Sequence, residues 1–126
     1  MKMDLPENLK YTKEHEWVKI DGDILMLGIT DHAQSELGDI IFIEFPGLNQ
    51  DISKDEPFGT IEAVKTVADL FAPVSGKIIE INQSIEDNPA LVNSDPYGEG
   101  WIVKITDFDK SQLDALLDSN KYKGII

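Results

Sequence analysis

Between Gly59 and Gly76 the chain carries two apolar strand patterns that a single strand cannot hold, because successive side chains along a strand point to opposite faces. It must turn back near Lys65. A two-residue loop at Lys65 and Thr66 sets Val64 opposite Val67, Ala63 opposite Ala68 and Ile61 opposite Leu70, gathering small and apolar residues on one face. The same pairing sets Glu62 opposite Asp69, a like-charge contact that asks for a cation or a purpose. The tip lacks the Asn-Gly or Asp-Gly that two-residue loops favour, which leaves the loop length open by one residue. Lys65 stands at the tip of a hairpin.

The flanking chain supplies a β framework for that hairpin. Tyr11 to Ile20 and Ile24 to Ile29 surround Asp21-Gly22-Asp23, an aspartate-glycine turn between apolar runs. Thr30 or Asp31 caps a helix over about Asp31 to Leu37, with Gln34 completing a capping box and Gly38 supplying the left-handed stop. Gly38 to Glu44 reads as a strand, and Gly76 to Asn82 repeats its pattern 38 positions later. Each copy continues through a polar, turn-rich segment into a second strand, Phe58 to Val64 or Trp101 to Thr106. Two such halves, neither able to bury its own face, predict a mainly β, flattened antiparallel sandwich with an internal two-fold. Asn88-Pro89 reads as a cap with proline at the first helical position, giving one turn through Val92. From Asp107 to Tyr122, Leu113, Leu116 and Leu117 form a helical apolar stripe, with Asp109 or Ser111 as cap. The expected organisation is one domain over 1–126, with a core at about 11–106 and a C-terminal helix at about 109–118.

Composition narrows the function classes. A length of 126 residues suits one core with no room for a separate catalytic lobe. A net charge of −13 argues against nucleic acid and anionic membranes and favours partners with basic docking faces. No apolar run approaches the roughly 20 residues needed to span a bilayer, and Met1 to Pro6 carries neither a signal nor a transit pattern. A cytoplasmic location is the simplest expectation, although a mature mitochondrial matrix protein would look the same. The absence of cysteine removes disulfides, thiolate metal sites and cysteine nucleophiles, so sulfur chemistry has to arrive on an attached group. His15 and His32 stand far apart in sequence without a paired-ligand spacing, so no metal site is expected.

Glu62-Ala63-Val64-Lys65-Thr66, followed by Ala72-Pro73-Val74-Ser75-Gly76-Lys77-Ile78, resembles the lipoyl-attachment hairpin of the glycine cleavage system H-protein family. The resemblance extends to His15-Glu16-Trp17-Val18, Gly28 to Gln34, Leu37-Gly38-Asp39-Ile40, Val92 to Tyr97 and Gly100-Trp101. It implies the barrel-sandwich hybrid fold of lipoyl and biotinyl carriers, with short helices and a C-terminal helix. It also implies that Lys65 bears lipoic acid in amide linkage, on a long flexible stem that gives a reactive group reach from a rigid base. By the same resemblance, glycine decarboxylase, a pyridoxal phosphate enzyme, delivers an aminomethyl group, and aminomethyltransferase passes its one-carbon unit to tetrahydrofolate. Dihydrolipoyl dehydrogenase then reoxidises the arm. Lipoate ligase, or an octanoyltransferase with lipoyl synthase, would load it. The chain itself is expected to be a monomeric, non-catalytic carrier that gains from effective concentration.

Holding an aminomethyl group against ammonia loss calls for a water-poor cleft with carboxylates beside the amine. Glu16 and Asp69 align with acidic positions of the family's arm-binding cleft, against the alternative that both are solvated surface charges. Trp17 and Trp101 read as core or cleft wall and His32 as a packing residue. At Glu36 the chain departs from the histidine often found in the family. Gly59 and Gly76 read as close-approach positions, with Pro73 fixing the exit path. Five other readings remain: a relay passing lipoyl or octanoyl groups to 2-oxoacid dehydrogenases, a lipoyl domain of such an enzyme, a biotin carrier, an enzyme with a Schiff-base lysine, and a small scaffold protein that binds basic partners through charge alone. The biotin reading lacks methionines beside the lysine, and Glu62 and Asp69 oppose the depressed pKa that a Schiff base needs.

Overall fold

A computed structural model describes residues 4–126, so the first three positions of the Met1 to Pro6 segment lie outside the described residues. The chain enters through β1 (Lys10–Tyr11), β2 (Glu16–Asp21) and β3 (Ile24–Ile29). The apolar run expected from Tyr11 to Ile20 is broken at Thr12–His15, where the His15 N–H bonds to the Thr12 carbonyl at 3.1 Å and His15 takes φ 67°. β2 and β3 close on Gly22-Asp23, with Asp21 opposite Ile24. Helix α1 (Asp31–Leu37) starts at Thr30, whose hydroxyl accepts from the Ala33 N–H at 3.1 Å, and stops at Gly38, whose φ of 77° suits glycine. The Asp31–Gln34 contact is a side-chain pair at 2.7 Å, not the reciprocal box expected.

The remaining strands are β4 (Ile40–Glu44), β5 (Asp51–Ile52), β6 (Pro57–Ala63), β7 (Val67–Phe71), β8 (Gly76–Ile81) and β9 (Val103–Thr106). They form a six-stranded sheet, β1-β2-β3-β9-β8-β5, and a three-stranded sheet, β4-β6-β7; every pairing is antiparallel and neither sheet closes on itself. Val18, Leu25, Val103 and Ile105 from the first share one core with Ile43, Ile61 and Leu70 from the second. Each such side chain stabilises the fold by about 1.5–3 kcal/mol through burial. This is the mainly β, flattened sandwich expected. Its duplication is visible in backbone detail: the β4–β6 ladder slips between Ile40 and Phe42, and the β8–β9 ladder slips between Ile78 and Glu80, 38 positions on. In both, Ile41 or Ile79 is turned to solvent. Gly59 and Gly76 occupy tight approaches, where a Cβ would stand 2.6 Å from the Glu44 carbonyl oxygen and 3.0 Å from that of Thr106.

Three local expectations are corrected. The hairpin turns on Val64-Lys65, one residue earlier than Lys65-Thr66, with the Ala63 N–H bonded to the Thr66 carbonyl at 2.8 Å. Glu62 therefore faces Val67, and Asp69 faces Thr60, so the like-charge opposition of Glu62 and Asp69 does not arise. Neither tip residue has positive φ, which explains the missing glycine. The C-terminal helix expected at about 109–118 is instead a 3-10 segment, Lys110–Ala115, capped by Asp109, followed by a separate short helix, α4 (Ser119–Lys123), capped by Asp118. Between them Leu116 is extended and Leu117 exchanges backbone hydrogen bonds with Tyr11 at 2.8 Å each, a pairing that a continuous helix forbids. Finally, Asn82 caps a helix the sequence did not announce, α2 (Gln83–Asp87), and the turn at Asn88-Pro89 only leads into α3 (Leu91–Ser94), which has no side-chain cap.

A second, aromatic cluster anchors both ends of the described chain. Tyr11 stacks on Tyr122 with centroids 4.8 Å apart, and Trp17 belongs to the same cluster, its indole N–H bonded to the Pro96 carbonyl at 2.9 Å. Trp17 is thus core.

Candidate functional site

Lys65 is exposed at the tip between β6 and β7, and among the described residues its amine forms no ion pair. The tip is held at its base, because the Val64 N–H bonds to the Asp39 carbonyl at 3.0 Å and Ala63 pairs with Ile40. The start of β4 is fixed in turn by Asn93 on α3. Its Oδ1 accepts from the Ile40 N–H at 3.0 Å, and its Nδ2 donates to the Gly38 carbonyl at 2.8 Å and to Gln34 at 3.1 Å. Asn93 was not singled out from sequence, since its three partners lie more than 50 positions away. The Lys65 stem folds over Gly38, where a Cβ would lie 3.5 Å from Lys65 Cε. The path of the lysine stem thus runs past the residue that ends α1.

Beside that path lies a groove of about 360 Å³. Helix α1 supplies one wall through His32, Ala33, Glu36 and Leu37; β7 supplies the other through Ala68, Asp69 and Leu70. Glu16 and Asp69, proposed from sequence to share a cleft, do line this groove together. Trp17 and Trp101 do not. Trp101 sits in the aromatic cluster with the Lys104 amine 4.9 Å from its ring.

Glu16 is not the solvated residue of the alternative reading. It is 4% exposed, its Oε2 accepts from the Phe71 N–H at 2.7 Å, and the Thr12 hydroxyl donates to its Oε1 at 3.3 Å. The Phe71 bond ties β2 to β7 across the two sheets. Burial pushes the carboxyl up to about 8 against the pull of the Phe71 N–H, with Glu14 and Asp55 adding to the rise. Asp69 is exposed. The groove also takes in two histidines: His15 and His32 have ring centroids 4.7 Å apart, and His15 Nδ1 lies 2.8 Å from the Tyr122 hydroxyl. Burial and the neighbouring His32 lower the His15 pKa. The sequence signal for this wall was the four-residue spacing of His32 and Glu36, which puts both on one helix face.

An apolar floor of Ile29 and Ile61 beneath the carboxyls of Glu14, Glu16, Glu36 and Asp69 suits a cationic amine carried on an apolar stem. An ammonium entering would favour the ionised form of Glu16 and raise its own pKa in return. Among the described residues, no group of three or more His, Asp and Glu is placed to hold a metal ion, and no helix is long and apolar enough to cross a membrane.

Comparison with known proteins decides the family. A family model described as glycine cleavage H-protein matches residues 9–126. This chain belongs to the glycine cleavage H-protein family. Among H-protein relatives, that of Bacteroides thetaiotaomicron is 52% identical over 124 residues and that of Staphylococcus carnosus 54%, each alignment covering 98% of both chains. The crystal structure of the H protein of Mycobacterium marinum superposes with a TM-score of 0.86 at 37% identity, covering 95% of this chain and 97% of that one. The hairpin, groove and duplicated sandwich described above are thus features of an H-protein chain.

Proposed function

We propose that Lys65 carries lipoic acid in amide linkage and that this chain, as a single carrier domain, is the lipoyl carrier of the glycine cleavage system. The carrier role follows from H-protein membership over residues 9–126. The observation that supports Lys65 as the attachment point is its placement: an exposed, unpaired amine on a braced hairpin, its stem against Gly38 next to a groove with an apolar floor and four carboxyls. Once attached, the lipoyl dithiolane supplies the disulfide and dithiol chemistry that a chain without cysteine lacks.

The chain's own residues bind and shield. The braced tip keeps the attachment point fixed while the stem swings, and α1 and β7 form the berth for its far end. Glu16, buried and held by the Phe71 N–H, and Asp69 at the rim hold a cargo amine in its protonated form, and the apolar floor excludes water. Glycine decarboxylase, aminomethyltransferase and dihydrolipoyl dehydrogenase are its partners and perform the catalysis with their own cofactors. The carrier is non-catalytic, and its bacterial relatives support a bacterial cytoplasm as its setting. Reconstitution with the three partner enzymes tests this. Lipoate-loaded chain should support glycine- and tetrahydrofolate-dependent reduction of NAD⁺, and Lys65→Arg should support none; equal turnover with the arginine variant would overturn the reading.

A further inference from the structure

The internal two-fold supplies a control for what the fold itself demands. Strands β4, β6 and β7 correspond to β8, β9 and β3, with the ladder irregularity at the same place in each half. Across the solvent face, the row Phe42–Glu62–Val67 in the half that bears Lys65 corresponds to Glu80–Lys104–Met26 in the other. The second row is closed by an ion pair, Lys104 to Glu80 at 3.6 Å. The first is open: Phe42 is 52% exposed, Val67 59%, and Val64 at the tip 73%. A polar side chain is therefore compatible with this register, and the fold does not require Phe42 to be apolar. Around the apolar residues stand Glu62, Glu44 and Asp69, none of them paired with a cation among the described residues.

We propose that this face of β4-β6-β7 is where the enzyme that acylates Lys65 docks, presenting an apolar patch ringed by basic side chains. The inference rests on Lys65 being the modified residue. The occupant is chosen by reach: a bare lysine offers its amine on a four-carbon stem, so the acylating active site must come down onto the hairpin and touch what surrounds it. Enzymes that act on the loaded arm can stand further off. An apolar centre inside a charged rim is the usual anatomy of a protein interface, and the acidic rim on a chain of net charge −13 selects a basic partner and speeds encounter.

The test uses the full chain with a purified lipoate–protein ligase, lipoate and ATP, following acylation by mass. Phe42→Ser/Val67→Ser should lower kcat/KM at least tenfold, chiefly through KM, with an unchanged melting temperature. Ile79→Ser, at an exposed apolar position of the other half, should leave it within twofold. Rates for the native chain should fall steeply with added salt. If the double variant melts early, Val67→Ser alone carries the test, with a drop of at least threefold expected. An unchanged kcat/KM in the folded variant overturns the docking inference, as does loss of a self-associated species without loss of acylation. Labelling of Lys65→Arg would instead overturn the attachment site, so the two failures are distinguishable.

Discussion

Glu16→Gln removes one titrating group from the boundary between the sheets, and its consequence for stability can be worked out with sign and size. The Glu16 carboxyl moves from an ordinary 4.5 to about 8 in the folded chain, chiefly through burial. Its folded-state pKa lies above its unfolded one, so the folded chain binds the extra proton between these values. The resulting stability is full below about pH 4.5 and is lost as pH rises toward 8. At about 1.4 kcal/mol for each tenfold difference in proton affinity, the whole loss is of the order of 5 kcal/mol. At 4% exposure, solvent screening takes little from it. Urea unfolding of the native chain and of Glu16→Gln at pH 5, 6, 7 and 8 isolates the effect, because every other group is common to both. The native chain should lose stability relative to the glutamine variant by several kcal/mol over that range, with equal m values. A difference flat to within about 0.5 kcal/mol would refute the burial argument for Glu16.

Other parts of the site make separate predictions. Asn93→Ala removes three hydrogen bonds at the base of the hairpin, and should cost about 2–4 kcal/mol in urea unfolding while slowing acylation of Lys65. Gly59→Ala places a methyl 2.6 Å from the Glu44 carbonyl oxygen, and should lower stability by about 1–3 kcal/mol, read as a lower melting temperature. Asp69→Asn removes the rim carboxylate and should release ammonia severalfold faster from the lipoylated chain carrying the aminomethyl group in a coupled assay, with unchanged stability.

What could be read from sequence was what local chemistry decides. The turn at Gly22, the Thr30 cap, the Gly38 stop and the duplicated pattern all depend on neighbours within a few positions or on strict alternation. The features that escaped are decided at long range. The hairpin register is set by Asp39 and Ile40 pairing with Val64 and Ala63, and this relieves the Glu62–Asp69 conflict that the sequence exposed. The C-terminal stripe is helical in pattern, yet Tyr11 draws Leu117 into a bridge and splits the helix. For the site, resemblance placed Glu16 and Asp69 in one groove, but the burial of Glu16 depends on a bond to Phe71, 55 positions away. The histidine pair went unseen because His15 reaches His32 through a left-handed kink that no motif announces.

One exposed amine, on a tip braced by Asp39, Ile40 and Asn93, is the proposed point of acylation. Intact mass after incubation with lipoate, ATP and a lipoate ligase, with fragment spectra to place the added group, tests it most directly. A single lipoyl addition on Lys65, and none on Lys65→Arg, is the predicted result. Addition to another lysine, or undiminished labelling of the arginine variant, would rule Lys65 out as the attachment point.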